Sequence, residues 1–140
     1  MNIIVCIDDN KGMLFNARRQ SKDNAVVEKI KEITKDNTLW IDEFSVDLLP
    51  FADRVHFDML KMAKDEEYCF VENKSPSPSM DKIQRIYLFK WNRKYPSDFK
   101  FEIEVEKYFR LANKEEFAGS SHDKITLEVW ENDVLQKTRK

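Results

Sequence analysis

The stretch Asn-Ile-Ile-Val-Cys-Ile-Asp at residues 2–8 decides the fold class, because it is a continuous apolar run that ends in an acid. A strand with one wet face would alternate apolar and polar residues, so an unbroken run predicts a strand buried on both faces. Such strands lie at the centre of sheets that are covered by helices. We therefore expect residues 2–8 to form the central strand of an α/β domain.

The segment that follows this strand has the pattern of a loop and then a helix. After a loop through Gly12, Ser21 is the candidate N-cap of a helix. Four apolar residues then recur on one helical face, namely Val26, Val27, Ile30 and Ile33. This periodicity predicts an amphipathic helix that packs on the sheet.

The middle of the chain continues the alternation of strands and helices. Strands are predicted at residues 38–41 and 68–71, and a helical turn is predicted at 44–49 before Pro50. Between the turn and the second strand, a further helix is predicted from the apolar stripe of Val55, Met59, Met62 and Ala63. Residues 75–79, with alternating Ser and Pro, are expected to form a surface loop.

The last third of the chain is rich in strand patterns. Residues 83–91 predict a strand, and residues 99–105 alternate strictly, which predicts a strand with one wet face. Two further strands at 108–117 and 124–130 are joined by Ala-Gly-Ser-Ser, which predicts an antiparallel hairpin. The tail after Glu131 is expected to fray.

This order of elements predicts a single α/β domain over residues 1–140. Its three-layer mixed sheet should have a parallel centre and an antiparallel C-terminal hairpin. A chain of 140 residues has the usual length of one domain. Hydrophobic residues make up 41% and charged residues 36%, with 2 Gly and 4 Pro, so a folded chain is expected.

Charge and the start of the chain bear on location and partners. The formal net charge is -2, from 24 basic and 26 acidic residues, which argues against nucleic acid as a partner. Asp8 comes too early for a secretion signal, and no apolar run approaches the roughly 18 residues that span a bilayer. We expect a cytoplasmic protein that does not bind membranes, with Cys6 and Cys69 as buried thiols.

Two parts of the sequence resemble dihydrofolate reductases. IIVCIDDNKGMLFNARRQSKDNAVVEKIKEIT at residues 3–34 is similar to the opening of that family, with Gly12 in the loop, Asp23 in the first turn of the helix and Thr34 near its end. Residues 86–117 and 122–131 resemble the last three strands of the family, including the Asp-x-x-Phe step at Asp98 to Phe101. The resemblance covers about half of the chain and implies a dihydrofolate reductase-like fold.

The resemblance also implies a ligand pocket between the first strand and the first helix. Asp23 would be the carboxylate that grips a pterin-like ring, because two parallel charge-assisted hydrogen bonds fix such a ring edge. Val27 and Ile30, with Val26, would form the apolar wall, and Arg18 and Arg19 would clamp an anionic group beside it. The helix dipole alone also favours Asp23, and an adjacent arginine pair on a loop is usually solvated.

Five residues at three places depart from the family, and four of them imply loss of its NADPH site. Phe89 stands where the family has a threonine that supports the aspartate. Glu72 and Asn73 replace the paired glycines at the cofactor pyrophosphate, and Asp42 and Glu43 stand where a Gly-Arg-x-Thr segment grips phosphate. Two acids repel a phosphate, so no cofactor is expected.

A second interpretation uses acids at strand ends. Asp8, Asp9, Asp42 and Glu43 each follow a predicted parallel strand, where converging carboxylates hold Mg²⁺ in hydrolases that act on phosphodiesters. Only this alternative, a small phosphodiesterase or nuclease, calls for a metal. A histidine-rich zinc site cannot form from two histidines, and His122, beside Ser120 and Ser121, is expected to serve a turn.

A third interpretation is a protein interaction module. The chain is rich in aromatic residues that could anchor a partner, among them Trp40, Trp91, Tyr95, Tyr108 and Trp130. The C-terminal hairpin could also pair two copies into a homodimer. The sequence thus predicts a dihydrofolate reductase-like domain that has lost the NADPH site and reductase activity, and that binds either a small planar or anionic molecule or a protein partner.

Overall fold

Ten strands and three helices occur in residues 1–133, the part of the chain that this computed structural model describes. The strands are β1 (Asn2–Ile7), β2 (Gly12–Phe15), β3 (Arg18–Arg19), β4 (Leu39–Ile41), β5 (Arg54–Val55), β6 (Tyr68–Phe70), β7 (Arg85–Lys90), β8 (Phe99–Lys100), β9 (Arg110–Phe117) and β10 (Ile125–Glu131). The helices are α1 (Asn24–Ile33), α2 (Met59–Met62) and α3 (Val105–Tyr108), and two 3₁₀ turns span Glu43–Ser45 and Ser77–Lys82. Fraying was predicted for the tail after Glu131. Asn132 is instead buried and donates to the carbonyl of Ile83 at 3.1 Å, and residues 134–140 lie outside the described residues.

The main sheet has seven strands in the order β5-β4-β6-β1-β7-β10-β9. β1 lies in its centre and pairs in parallel with β6 on one side and β7 on the other. β10 pairs antiparallel with both β7 and β9. The predicted mixed sheet, with a parallel centre and an antiparallel C-terminal hairpin, is confirmed.

Side chains of β1 divide between the two faces of this sheet, which explains its unbroken apolar sequence. Ile3, Val5 and Ile7 belong to a core cluster that includes α2 and the segment after β8. Ile4 belongs to the cluster that α1 covers through Val26 and Ile30, on the opposite face. Two covered faces around one sheet give the three layers expected of an α/β fold.

The N-cap of α1 lies two residues later than the one predicted from the sequence. Asp23, not Ser21, is the N-cap, and its side chain accepts a hydrogen bond from the N–H of Ala25. Both residue types cap helices well, so composition alone could not separate two candidates two positions apart. The consequence is that Ser21 lies before the helix, where its hydroxyl is free for other contacts.

The segment at 99–105 is the clearest departure from the predicted strands. Only Phe99–Lys100 pairs, as β8 in a small sheet of order β3-β2-β8, and Val105 begins α3. Phe101, Ile103 and Val105 are all buried against the face of the main sheet that α2 covers. The alternation of apolar and polar residues therefore predicted the buried side chains correctly. The same alternation also fits an extended segment that does not pair with a neighbouring strand.

The helix predicted from Val55 to Ala63 is also shorter than expected. Val55 belongs to β5, which pairs with β4, and it is 49% exposed. Only residues 59–62 are helical, and Met59 and Leu60 are buried. Within residues 1–133, no helix has the length and apolar character required to cross a membrane.

Candidate ligand site

A cavity of about 20 Å³ lies between α1 and the central strands β1 and β6. Its apolar lining comprises Cys6, Val26, Val27, Ile30, Phe70 and Trp91. Its polar lining includes Arg19, Gln20, Ser21, Asp23 and Glu72. About 10–15 Å³ is enough for one water molecule, so any larger ligand requires a lining side chain to move.

Asp23 lies at one end of this cavity, and hydrogen-bond donors of the chain itself surround its carboxylate. Oδ1 accepts from the N–H groups of Ala25 at 2.9 Å and Ser120 at 2.8 Å, and Oδ2 accepts from the N–H of Ser121 at 2.7 Å. Burial opposes ionisation, but hydrogen bonds from His122 and these N–H groups outweigh it and hold the pKa of Asp23 well below its usual range. The carboxylate is therefore ionised, and both of its oxygens are already engaged.

Gly119 allows the loop between β9 and β10 to come this close. A Cβ atom at this position would lie 2.5 Å from Oδ2 of Asp23 and 2.8 Å from the carbonyl oxygen of His122. The N–H of Gly119 donates to that same carbonyl at 3.0 Å and closes the turn. A side chain at position 119 would push the loop away from the carboxylate.

His122 connects Asp23 to two hydroxyl groups. Its Nδ1 lies 2.9 Å from Oδ2 of Asp23, and its Nε2 lies 3.0 Å from Oγ of Ser21 and 3.0 Å from the hydroxyl of Tyr95. The ring is buried and stacks on Trp91 at 4.7 Å between centroids. Because an ionised carboxylate can only accept, Nδ1–H of His122 donates the hydrogen bond to Asp23. In this tautomer of the neutral ring, the lone pair is at Nε2 and faces Ser21 and Tyr95.

Glu72 lies at the other polar end of the cavity and is paired with Arg19. Nε and Nη2 of Arg19 donate to the two oxygens of Glu72, with Nη2 to Oε2 at 2.8 Å, and the hydroxyl of Ser45 donates to Oε2 at 2.6 Å. Nη1 and Nη2 also reach Asp47, whose side chain is 73% exposed. Hydrogen bonds from Arg19 to Glu72 raise the pKa of Arg19 above its usual range, although burial of the guanidinium acts to lower it.

Cys6 faces this cavity as a protonated thiol. Burial, with a smaller effect of the charge on Glu72, raises its pKa well above the usual range. Burial also raises the pKa of Cys69 to about 12. Both cysteines are free; Cys69 is buried, as expected, whereas Cys6 is half-buried. A thiol whose pKa is raised in this way is a poor nucleophile.

The structure brings most of the predicted ligand residues together. Asp23, Val27, Ile30 and Arg19 all line the cavity. Arg18 does not, since it is exposed and borders a shallow surface groove instead. Placement in one cavity is what the predicted pocket requires, and ligand binding by these residues stays a prediction.

Two of the four acids of the metal interpretation have other partners, and the other two are exposed. Oδ1 of Asp8 accepts from the N–H of Gly12 at 2.7 Å, and Oδ2 accepts from the N–H of Tyr95 at 2.9 Å. Oδ2 of Asp42 accepts from Nζ of Lys74 at 2.8 Å, while Asp9 and Glu43 are exposed. Across residues 1–133, no three His, Cys, Asp or Glu side chains form a group that could hold a metal ion.

Three of the residues that departed from the family pattern, Phe89, Asp42 and Glu72, are engaged in the fold. Phe89 is completely buried and meets Phe117 edge to face. Asp42 caps the 3₁₀ turn through the N–H of Phe44 at 2.9 Å, so a side-chain carboxylate already lies at this turn. Glu72 is buried with its arginine partner, as described above.

Three important site residues were missed or misassigned from the sequence. Glu72 was considered only as a replacement for glycine, although a buried acid after a strand is a signal of a charged partner. His122 was assigned to a turn, and Tyr95 to a surface cluster with Trp91. Trp91 is only 4% exposed, so it packs against His122 and is no surface anchor.

Comparisons with known proteins support the fold. No protein-family model and no curated protein matches the sequence. Among solved structures, a dihydrofolate reductase from Enterococcus faecalis, complexed with NADP(H) and RAB-propyl, matches with a TM-score of 0.72 at 10% sequence identity. The match covers 94% of this chain and 95% of that chain. The chain therefore has a dihydrofolate reductase-like fold.

Proposed function

We propose that this chain is a small-molecule binding domain that does not act as an NADPH-dependent reductase. The proposed ligand is a small planar molecule that presents two parallel hydrogen-bond donors to Glu72. Its ring would lie between Val27, Ile30 and the central strands. Arg19 would leave Glu72 when the ligand enters.

The observation that carries this proposal is the pairing of Arg19 with Glu72 at the end of an apolar cavity. A guanidinium group is flat and offers two parallel N–H donors to a carboxylate. The edge of an aminopyrimidine ring offers the same pattern, so such a ring can replace Arg19 without leaving Glu72 unpaired. The guanidinium of Arg19 thus has the shape and charge that we propose for the ligand.

The partners of Arg19 make this exchange plausible in energy. Asp47 is exposed, and it also binds the guanidinium. Arg19 can therefore move toward solvent and keep one ion pair, while the ligand takes over the buried one. The retained pair with Asp47 is worth only about 0–1 kcal/mol, so the exchange requires that the ligand restore the buried pair with Glu72.

Asp23 is a less suitable grip for the ligand, although the family resemblance assigned it that role. Its oxygens accept hydrogen bonds from three backbone N–H groups and from His122. A ligand would have to displace the loop at 119–122 to reach them. We therefore assign the contact with the ligand's polar edge to Glu72, and the shape of the cavity to the helix that Asp23 caps.

Two acidic positions support the proposed absence of NADPH chemistry. The dihydrofolate reductase of similar fold is complexed with NADP(H). In this chain the carboxylate of Asp42 occupies the start of the 3₁₀ turn, and Glu72 fills the cavity end after β6. Both place negative charge where the family resemblance implies phosphate, so these residues do not fit a dinucleotide.

Thermal-shift and calorimetric titrations test the proposal. The probes are 2,4-diaminopyrimidine, folate, benzoate and NADPH, against the wild-type chain and the variants Glu72→Gln, Arg19→Ala and Arg18→Ala. We expect diaminopyrimidine to stabilise the wild type and Arg19→Ala, the latter more strongly because the competing group is gone. Glu72→Gln should lose the effect, whereas Arg18→Ala, which removes the same charge as Arg19→Ala but outside the cavity, should keep it.

Three outcomes would contradict the proposal. Stabilisation by NADPH would show that the cofactor site is retained. Stabilisation by benzoate that is lost in Arg19→Ala would show that the cavity takes an anion through Arg19. If no probe binds any variant, the cavity is not a ligand site for these chemical classes.

A protein partner is the second candidate, and one observation favours it. Phe57 is 75% exposed, and its ring stacks on His56 at 4.8 Å. An aromatic side chain presented in this way is typical of interface anchors. Affinity capture with wild-type protein and with Phe57→Ala tests this candidate, which requires a captured protein that the variant does not retain.

A further inference from the structure

Ser21, His122 and Asp23 form a continuous relay beside the cavity. Oγ of Ser21 is 3.0 Å from Nε2 of His122, and Nδ1 of the same ring is 2.9 Å from Oδ2 of Asp23. This is the order of contacts by which a serine, a histidine and an aspartate activate a hydroxyl nucleophile. Such sites are recognised by geometry, since they recur on unrelated folds in different chain orders.

The base and its orienting acid are held firmly. Asp23 is fixed by the N–H groups of Ala25, Ser120 and Ser121, so its carboxylate cannot rotate away from His122. The His122 ring is held flat against Trp91, with an interplanar angle of 22°. Nε2 is therefore directed at Ser21 without any rearrangement, as a preorganised general base requires.

The nucleophile lies where a substrate can reach it. His122 and Asp23 are buried, while Ser21 is half-buried and lines the cavity with Val26, Val27 and Trp91. The cavity beside the hydroxyl is largely apolar, and at about 20 Å³ it admits a short acyl group only when a lining side chain moves. The leaving group would remain on the solvent side of Ser21.

We infer that Ser21 is the nucleophile of a hydrolase that cleaves small carboxylic esters. Oγ of Ser21 attacks the ester carbonyl carbon and its proton passes to Nε2 of His122. The bond from carbon to the alcohol oxygen breaks, and the alcohol leaves with that proton. Water then gives a proton to Nε2 and its oxygen to the acyl carbon. The bond from that carbon to Oγ of Ser21 breaks, Oγ takes the proton back from Nε2, and the carboxylic acid leaves.

Tyr95 shares Nε2 with Ser21 in the absence of substrate. Its hydroxyl lies 3.0 Å from Nε2 and 3.4 Å from Oγ of Ser21. Tyr95→Phe removes this competing hydroxyl and leaves Nε2 to Ser21 alone. If the relay only ties the loop to the helix, Ser21 reacts with an electrophile neither in wild type nor in this variant. If the relay activates Ser21, the serine stays reactive after Tyr95 is replaced.

The test is labelling with a fluorophosphonate and hydrolysis of p-nitrophenyl acetate by the full-length chain. Intact mass and peptide mapping locate the adduct, which separates Ser21 from acylated surface lysines. We expect one adduct on Ser21, no adduct in Ser21→Ala, and a fall of at least about 100-fold in both rates in His122→Gln, as expected for loss of a general base. Tyr95→Phe should label at least as fast as wild type, and Ser79→Ala, a half-buried serine in the 3₁₀ turn at 77–82, should match wild type.

Two results would overturn the inference. One is a folded wild-type chain that acquires no label on Ser21. The other is equal labelling and hydrolysis in Ser21→Ala or His122→Gln, with circular dichroism confirming that each variant is folded. Neither result bears on the proposed ligand of Glu72, because that contact involves none of the three relay residues.

Discussion

Asp23 and Glu72 border the same cavity, but they are held by different kinds of partner. Asp23 is bound by backbone N–H groups and a stacked histidine, which belong to the rigid turn at 119–122 and the start of α1. Glu72 is bound by the side chains of Arg19 and Ser45. Backbone donors move only if the fold moves, whereas an arginine side chain can rotate away.

This difference separates a carboxylate that builds the site from one that can exchange partners. Asp23 ties α1 to the loop between β9 and β10, so its replacement should lower the stability of the whole fold. Glu72 is paired with Arg19, a half-buried side chain that also pairs with the exposed Asp47. Replacement of Glu72 should therefore mainly weaken ligand binding. Each of the following predictions breaks or sharpens this comparison.

The largest effect is expected from Asp23→Asn. The amide places an N–H₂ group among donors and leaves at least one of them unpaired in a buried site. We expect the free energy of unfolding to fall by about 3 kcal/mol, because buried donors lose a charged acceptor. Urea unfolding followed by tryptophan fluorescence measures it, with the exposed Asp47→Asn as control, and a loss below about 1 kcal/mol would contradict the structural role.

Acid should weaken the fold through the same carboxylate. The pKa of Asp23 in the folded chain is depressed, while in the unfolded chain it is about 3.9. Its contribution is therefore fully present above about pH 4 and is lost as the pH falls toward the folded value. Urea midpoints between pH 7 and pH 2.5 should converge for wild type and Asp23→Asn as the pH falls, and a constant difference would refute this assignment.

Gly119→Ala should have a smaller effect, because it displaces the loop without removing the charge. The added Cβ would lie 2.5 Å from Oδ2 of Asp23, so the turn must shift. Overpacking of this kind costs about 1–3 kcal/mol. The thermal unfolding temperature measures it against Ser121→Ala, which keeps the backbone N–H, and equal temperatures for the two variants would show that the approach is not tight.

Glu72→Gln should have the smallest effect on stability. Arg19 keeps Asp47 as a partner, and the glutamine oxygen can still accept from Ser45, so we expect a loss of about 1 kcal/mol. Chemical denaturation in parallel with Asp23→Asn gives the comparison. Losses of equal size in the two variants would contradict the distinction between the two carboxylates.

Local patterns in the sequence were sufficient for most of the main sheet, but not for its edge strand β5, where Val55 was predicted to be helical. The apolar run at residues 2–8 and the C-terminal hairpin were predicted correctly, because each pattern reports the burial of one short segment. The segment at 99–105 was not, since alternation reports which side chains are buried and not whether the backbone pairs. Likewise, Ser21 and Asp23 are equally good caps, and only the loop at 119–122 selects between them.

The site was predicted only in part, because its contacts join residues far apart in the chain. Val27, Ile30, Arg19 and Asp23 follow from one helix and the loop before it. Glu72 is separated from Arg19 by 53 positions, and His122 from Asp23 by 99. No local pattern encodes such pairs, so a buried acid and a turn histidine acquired partners only when the fold brought them together.

The central claim is that a ligand takes the place of Arg19 on Glu72, and NMR of the arginine side chain tests it most directly. In ¹⁵N-labelled protein, the Nε–H signal of Arg19, assigned by its absence in Arg19→Ala, reports its hydrogen bond to Glu72. Titration with 2,4-diaminopyrimidine should shift this signal toward that of a solvent-exposed arginine, in step with saturation of binding, while Arg18 stays unchanged. Binding that leaves the Arg19 signal unmoved, or no binding at all, would contradict the account.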